Sequence, residues 1–186
     1  FGDGAANQGQ VYESFNMAQL WDLPVVYVIE NNQYAMGTSI DRSSAETHLY
    51  KRGVSFRIPG EEVDGMDVLA VKAAAEKAAA HARSGKGPYI LEMKTYRYRG
   101  HSMSDPAKYR TRDEVDEIRK TRDPIDHIEE MLETKGYADE AALKAIDAEV
   151  KRIVADAAEF ARTSPEPDPK ELYTEVYTAS PAGVSA

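Results

Sequence analysis

FGDGAANQGQVYESFNMAQLWDLPVVYVIENNQY (residues 1–34) decides the fold. Residues 1–4 read as the end of a strand running into a turn at Gly2-Asp3-Gly4. Val11, Phe15, Ala18 and Trp21, with Tyr12 and Met17 beside them, recur at helical spacing over 10–22. Pro24 follows, and Val25-Val26-Tyr27-Val28-Ile29 is a continuous, largely β-branched run, the pattern of a parallel strand buried on both faces. The same order recurs downstream. Asp67 can cap an Ala-rich helix over 68–83 that stops at Gly85, and Pro88 leads into a second strand at 89–93. Helix, short loop and buried strand, twice over, predict an α/β fold: a parallel sheet flanked by helices, followed by a helical C-terminal region. Residues 31–60 read as loop with one apolar turn near 54–58. Two convincing strands do not close a doubly wound sheet. The chain opens on Phe1, in mid-motif and without an initiator Met, so it reads as a piece of a longer chain whose upstream part completes the sheet.

Beyond the second strand, residues 97–112 hold Gly100, Pro106 and four arginines without periodicity, and read as a long ordered or orderable loop. Helical patterns follow at 113–120, at 124–134 with Pro124 at the start, and at 139–162. The last keeps Leu143, Ile146, Val150, Ile153, Val154, Ala157 and Phe160 on one face. Ser164 to Pro169 is an extended linker, and 171–178 alternates loosely enough to pair as an edge strand or dock on a partner. The expected organisation is therefore an α/β part at 1–112, a helical region at 113–163 and an extended tail at 164–186.

Composition bounds the chemistry. The chain has 186 residues, 42% hydrophobic, and a formal net charge of -9. That suffices for an ordinary core. It has no cysteine, which excludes disulfides, thiolate metal sites and a Cys nucleophile. No apolar run approaches the roughly 18 residues of a membrane span. The charge is uneven: 113–171 holds 18 Asp+Glu against 9 Lys+Arg, whereas 94–112 holds Lys94, Arg97, Arg99, Lys108, Arg110 and Arg112 against Asp105 alone. Such a basic island suits a small anionic ligand or an acidic partner segment, and is too narrow for nucleic acid.

The chemically informative pattern is Gly2-Asp3-Gly4, then 26 residues, then Asn31-Asn32. One helix and one strand fill the spacer, so Asn31-Asn32 arrives at the carboxyl end of the strand neighbouring Asp3. Open α/β sheets bind ligands in that crevice. Gly4 permits a tight turn and close approach of a ligand to the backbone, and the N–H groups of Gly4 and Ala5 are free near a helix start, where anions bind. One carboxylate, one amide oxygen and a backbone carbonyl form a hard oxygen site that suits Mg²⁺ sharing its other positions with phosphate oxygens and water. A lone carboxylate holds a dication weakly, so metal and a diphosphate should bind together.

GDG–x26–NN is the pattern of thiamine diphosphate enzymes, and the resemblance continues. Residues 1–39, IPGEEVDGMD (58–67), SGKGPYILEMKTYRYRGHSMSDPAKYRTRDE (84–114) and DPIDHIEEML (123–132) closely resemble the C-terminal half of the alpha subunits of the pyruvate dehydrogenase component of 2-oxoacid dehydrogenase complexes. The resemblance implies an oxidoreductase that decarboxylates pyruvate and reductively acetylates a lipoyl group on the way to acetyl-CoA. It implies thiamine diphosphate and Mg²⁺ as cofactors. Asp3, Asn32 and the Tyr34 main-chain carbonyl would ligate the metal, Gly4 and Ala5 would hold the diphosphate through backbone N–H groups, and His101 would reach the diphosphate from the loop 97–112. His101 would also be the catalytic residue nearest the incoming lipoyl arm. The implied partners are a beta subunit in an α2β2 heterotetramer, which supplies the carboxylate that activates the cofactor, and the lipoyl domain and dihydrolipoyl acetyltransferase core. Neither nucleic acid nor membrane is implied, and the compartment would be bacterial cytoplasm, or the mitochondrial matrix in a eukaryote. Ser39 and Ser102 match serines phosphorylated in regulated relatives, but the segment Asp105-Pro106-Ala107-Lys108-Tyr109 lacks a third, which favours an unregulated bacterial enzyme.

Other readings stay open. Alpha subunits of branched-chain 2-oxoacid and acetoin dehydrogenases share the metal motif, although Ala5 to Gln10 and YRYRGHSMSDP resemble the pyruvate enzyme more. A nicotinamide dehydrogenase would need a third glycine where Asn7 stands. A non-catalytic assembly module would bind no thiamine diphosphate. His48, His81 and His127 read as surface residues, Arg97 and Arg99 as loop-ordering or partner-facing charges, and the acidic stretch as solvated helix surface.

Overall fold

The computed structural model describes residues 1–174. By internal contacts the chain divides into two units, Phe1–Met131 and Leu132 onward.

The first unit begins with a short 3-10 turn at Ala5–Asn7, then helix α1 (Gly9–Leu20) and strand β1 (Val26–Asn31). A two-residue hairpin, β2 (Tyr34–Ala35) and β3 (Thr38–Ser39), runs into the single turn α2 (Ile40–Ser43) and a 3-10 segment at Leu49–Phe56. Strand β4 (Gly60–Asp64), helix α3 (Val68–Arg83) and strand β5 (Tyr89–Lys94) complete the α/β part, and α4 (Arg112–Arg122) and α5 (Pro124–Thr134) follow. The sheet runs β1-β5-β4, all parallel, with Val26 opposite Tyr89 and Gly60 opposite Ile90. Gly2 bridges Glu30 in parallel, so the first residues add a further lane beside β1.

Two apolar clusters cover the two faces of this sheet. On one, Phe15 of α1 meets Ile29, Ile90, Leu49 and Ile58, its ring edge-on to Tyr27 with centroids 4.7 Å apart. On the other, Ala74 and Ala78 of α3 pack on Val63, Leu91 and Met93, close enough that alanine is the fitting size. Asp67 caps α3 as expected, accepting from the N–H groups of Leu69 and Ala70 at 2.9 and 3.0 Å.

Three expectations need correction. The stretch 31–60 is not loop throughout: it holds β2, β3, α2 and the 3-10 segment Leu49–Phe56, and at its end begins a third strand, β4, hidden because its first residues are Gly60, Glu61 and Glu62. At the sheet edge those carboxylates can face water and pair with Lys77 and His48. Strand β1 is not buried on both faces, since Val28 is 42% exposed; α3 packs against β4 and β5 and touches β1 only around Val26. His81 is half-buried, its ring edge-on to Tyr89 at 5.2 Å, rather than on the surface.

In the second unit, α6 (Glu140–Thr163) is capped by Asp139. Its apolar face is as the periodicity predicts, but none of its residues is buried. Pro169–Tyr173 is a 3-10 turn rather than the start of an edge strand, one of the two readings of 171–178; residues 175–178, with the rest of the tail to 186, lie outside the described residues. Among the described residues no helix is long and apolar enough to cross a membrane.

Candidate functional site

At the carboxyl edge of the sheet four polar side chains are buried together: Asp3, Asn31, Asn32 and Glu92. Burying such groups costs free energy unless each finds partners, so their partners define what the edge is for.

Glu92 is fully buried in β5. One carboxylate oxygen accepts from Asn31 Nδ2 at 2.7 Å and the other from the Tyr50 N–H at 3.0 Å. Asn31 Oδ1 in turn accepts from the Gln33 N–H at 3.2 Å, an Asx turn that lets Gln33 adopt a left-handed φ of 76°. The Asn31 carbonyl accepts from Thr95 N–H at 2.9 Å, and the Gln33 carbonyl from Ile40 N–H at 3.1 Å. The segment Asn31–Tyr34 is therefore held from both ends, and it aims the Asn32 side chain and the Tyr34 carbonyl at the same place.

Asp3 is 3% exposed, directly after the Gly2 bridge, and its N–H donates to the Glu30 carbonyl at 3.2 Å. Burial pushes its carboxyl above the usual carboxylate range, while backbone N–H groups and the Arg97 charge pull the other way. Asn32 has two amide orientations with different meanings. In one, its Oδ1 accepts from Arg97 Nη2 at 3.0 Å and its Nδ2 donates to the Tyr34 carbonyl at 2.9 Å. In the other, Oδ1 accepts a long hydrogen bond from the Tyr34 N–H at 3.4 Å but lies against the Tyr34 carbonyl oxygen at the same 2.9 Å, two acceptors with no proton between them, and Nδ2 faces the guanidinium. Neighbouring ligands of an octahedral Mg²⁺ bound at ~2.1 Å stand about 3 Å apart. The second orientation thus has the oxygen spacing of two ligands on one ion, with the Asp3 carboxylate as the anionic third. The donor set fits Mg²⁺. Among the described residues no cluster of three His, Asp or Glu side chains offers a rival metal site.

Gly4 caps the short 3-10 turn and Ala5 opens it, so neither lies in the first turn of α1. Neither N–H has an acceptor among the described residues. Gly4 has ordinary right-handed dihedrals, φ -65° and ψ -43°. Its need for glycine is steric: a Cβ there would meet the Ala35 Cβ at 2.5 Å. Arg52 holds the turn, donating to the Ala6 carbonyl at 2.6 Å and to Ser44 Oγ at 3.2 Å.

The loop 97–112 is tied down by Arg110 and Asp105. Arg110 donates to the carbonyls of Arg97 and, at 2.8 Å, Arg99, and lies within 6 Å of the rings of Tyr34, Tyr96 and Tyr109. Tyr96 donates to Glu114 at 2.7 Å, and burial together with that acceptor pushes its hydroxyl up to about 12. Asp105 accepts from the His101 and Ala107 N–H groups at 2.7 and 2.9 Å, which hold its carboxyl below the usual range. His101 is exposed, and its imidazole makes no hydrogen bond among the described residues. The structure thus brings Asp3, Asn32 and Tyr34 together, sets Gly4 and Ala5 next to Asp3 in the chain, and leaves His101 outside that hydrogen-bonded group. Ser102 Oγ meets Ser104 Oγ at 3.0 Å and has no His–acid pair of a hydrolase.

Glu92 and Arg52 were not singled out from the sequence, and Arg110 only as one charge of the basic island. Glu92 alone carried a signal, a single carboxylate inside a buried run.

Residues 1–170 match the family described as dehydrogenase E1 component. Among similar curated proteins is the pyruvate dehydrogenase E1 component subunit alpha of Rhizobium meliloti (strain 1021), 66% identical over 95% of this chain and 51% of its own length. That of Zymomonas mobilis is 56% identical over 95% of this chain and 49% of its own. The human somatic mitochondrial form is 52% identical over 97% of this chain and 46% of its own. The chain spans about half the length of the curated relatives it matches.

Proposed function

Because the chain belongs to the dehydrogenase E1 component family, we propose that it supplies the Mg²⁺- and diphosphate-binding half of a thiamine diphosphate site in a pyruvate dehydrogenase (acetyl-transferring). A beta subunit completes that site, and a lipoyl domain of the acetyltransferase core receives the acetyl group. The observation that carries this reading is the convergence of Asp3, the Asn32 amide oxygen and the Tyr34 carbonyl at one sheet edge. The names of relatives at 52 to 66% identity support pyruvate over the branched-chain and acetoin alternatives.

When bound, thiamine diphosphate supplies the carbanion-stabilising chemistry that decarboxylates a 2-oxoacid. The chain's own residues bind and orient. Asp3 provides the one formal negative charge of the metal site, and its burial makes that charge effective. Asn32 and Tyr34 add neutral oxygens, so the site is completed only when phosphate oxygens join. The free N–H groups of Gly4 and Ala5 suit such an oxyanion. His101 stands exposed on a loop fixed by Arg110 and Asp105, and serves the transfer to the lipoyl group as a proton donor or acceptor.

The test titrates thiamine diphosphate into the full-length protein assembled with its beta subunit, with and without Mg²⁺. Saturable binding that requires Mg²⁺, followed by CO₂ release from pyruvate, is expected; no binding in the complete assembly overturns the reading. For His101→Ala we expect lipoyl acetylation to fall by about 10²-fold or more, while decarboxylation measured with an artificial electron acceptor persists. Unchanged acetylation would remove His101 from the chemistry.

A further inference from the structure

Two partners compete for the Asn32 amide, the Tyr34 carbonyl and the Arg97 guanidinium. With Oδ1 toward Arg97, both ends of the amide are paired: Arg97 Nη2 donates to Oδ1 at 3.0 Å and Nδ2 donates to the Tyr34 carbonyl at 2.9 Å. Both oxygens that would face an ion are then occupied by protons. With Oδ1 toward Tyr34, that oxygen accepts a long hydrogen bond from the Tyr34 N–H at 3.4 Å but also opposes the Tyr34 carbonyl oxygen, and Nδ2 opposes the guanidinium, an arrangement that a cation between the oxygens and an acceptor for the guanidinium would relieve. A second observation concerns the other arm of the same side chain: Arg97 Nη1 is buried and has no hydrogen-bond partner among the described residues. The Arg97 backbone is fixed, its carbonyl accepting from Arg110, so any rearrangement falls to the side chain.

Resting on the metal-site reading above, we propose that Arg97 is the stand-in cation of this site. With no ion present it holds the Asn32 amide turned away from its ligating orientation. A divalent ion turns the amide over, and both arms of the Arg97 fork become available to an oxyanion beside the ion. Arg97 is a positioning residue that acts through Asn32. Metal alone must displace it and leave its donors unpaired, whereas metal with a diphosphate re-pairs them. Binding of the two ligands is therefore positively coupled, and the coupling is reciprocal.

The test measures Mn²⁺ affinity by water-proton relaxation in the full-length protein with its beta subunit, with and without thiamine diphosphate. Arg97→Met keeps the unbranched apolar stem of the side chain and removes its charge and donors. We expect it to bind Mn²⁺ alone about tenfold more tightly than wild type, and to lose most of the tightening that thiamine diphosphate confers. Arg97→Lys keeps the charge but not the fork. It should bind Mn²⁺ alone as wild type does, with weakened coupling to thiamine diphosphate, and it carries the test if Arg97→Met does not fold. Mn²⁺ affinity in Arg97→Met equal to or weaker than wild type overturns the inference, as does full coupling in Arg97→Lys, while the metal site itself stands. Absence of Mn²⁺ binding to wild type even with thiamine diphosphate overturns the metal site and the inference together.

Discussion

Asp3→Asn is expected to abolish Mg²⁺-dependent stabilisation while raising the melting temperature of the metal-free protein at neutral pH. The two effects have one cause. Asp3 is the anionic member of the donor set and is almost wholly buried, and its carboxyl is pushed above the ordinary value of 3.8 chiefly by that burial. A carboxyl whose pKa is higher in the folded than in the unfolded state binds its proton more tightly when folded. The stability it contributes is complete below pH 3.8 and is lost as pH rises through the raised folded value. At neutral pH the buried charge is thus a net cost, offset only in part by backbone N–H groups and the Arg97 charge and further by a bound cation, and Asn removes the cost and the metal's offset alike. In wild type, Mg²⁺ and thiamine diphosphate at a hundredfold excess over the dissociation constant should add about 2.7 kcal/mol, or roughly 5–10 °C for a domain of this size. In Asp3→Asn that increment should vanish, and the gap between the metal-free melting curves should narrow as the pH is lowered toward 4. Calorimetric scans at several pH values with and without the ligands check both signs. An Asn variant that is less stable than wild type without metal would mean that Asp3 is held by partners other than an ion.

The sequence carries the frame of this site and hides what holds it in place. Strand β5 is legible because Tyr89, Ile90, Leu91 and Met93 are all buried, so the run is apolar on both faces as a central parallel strand requires. Helix α3 is legible from its Asp67 cap and its alanines, which meet a sheet at close range. Strand β4 is not, because an edge strand is free to carry Glu61 and Glu62, and charge is then indistinguishable from loop. The spacing from Asp3 to Asn32 is legible because one helix and one strand have a nearly fixed length, and the chain between them has no freedom to place the two elsewhere. The apolar face of α6 is legible too, but a hydrophobic stripe states only that burial is wanted and not by what. Arg97 shows the limit most plainly. Its charge is read at once, and its facing Asn32 depends on a loop bound back by Arg110 onto three tyrosine rings, a contact with no local sequence signature.

Glu92→Ala should cost about 3–5 kcal/mol, the largest loss of stability expected from a single substitution at this edge. Removing the side chain leaves Asn31 Nδ2 and the Tyr50 N–H without their acceptor at 2.7 and 3.0 Å, where water does not reach. It also empties a fully buried volume in the central strand, and it strips the Lys94 ammonium of a carboxylate 3.9 Å away. Glu92→Gln separates stability from function. The shape is kept and one oxygen remains, so one of the two donors is still satisfied while the other meets an NH₂ group, at a cost of about 1–3 kcal/mol. If the remaining oxygen serves Tyr50, Asn31 is released. Its Asx turn to Gln33 then loosens, and the Asn32 side chain and Tyr34 carbonyl no longer hold the spacing an ion requires. The variant should therefore fold, melt several degrees lower, and bind Mn²⁺ with thiamine diphosphate about tenfold more weakly, although Glu92 touches neither. Denaturant unfolding gives the first quantity and Mn²⁺ relaxation titration the second. A Glu92→Gln protein that loses stability but keeps wild-type Mn²⁺ affinity would confine Glu92 to the core. Loss of affinity in a well-folded variant would show that the geometry of the metal edge is set from beneath, by a buried carboxylate in the neighbouring strand.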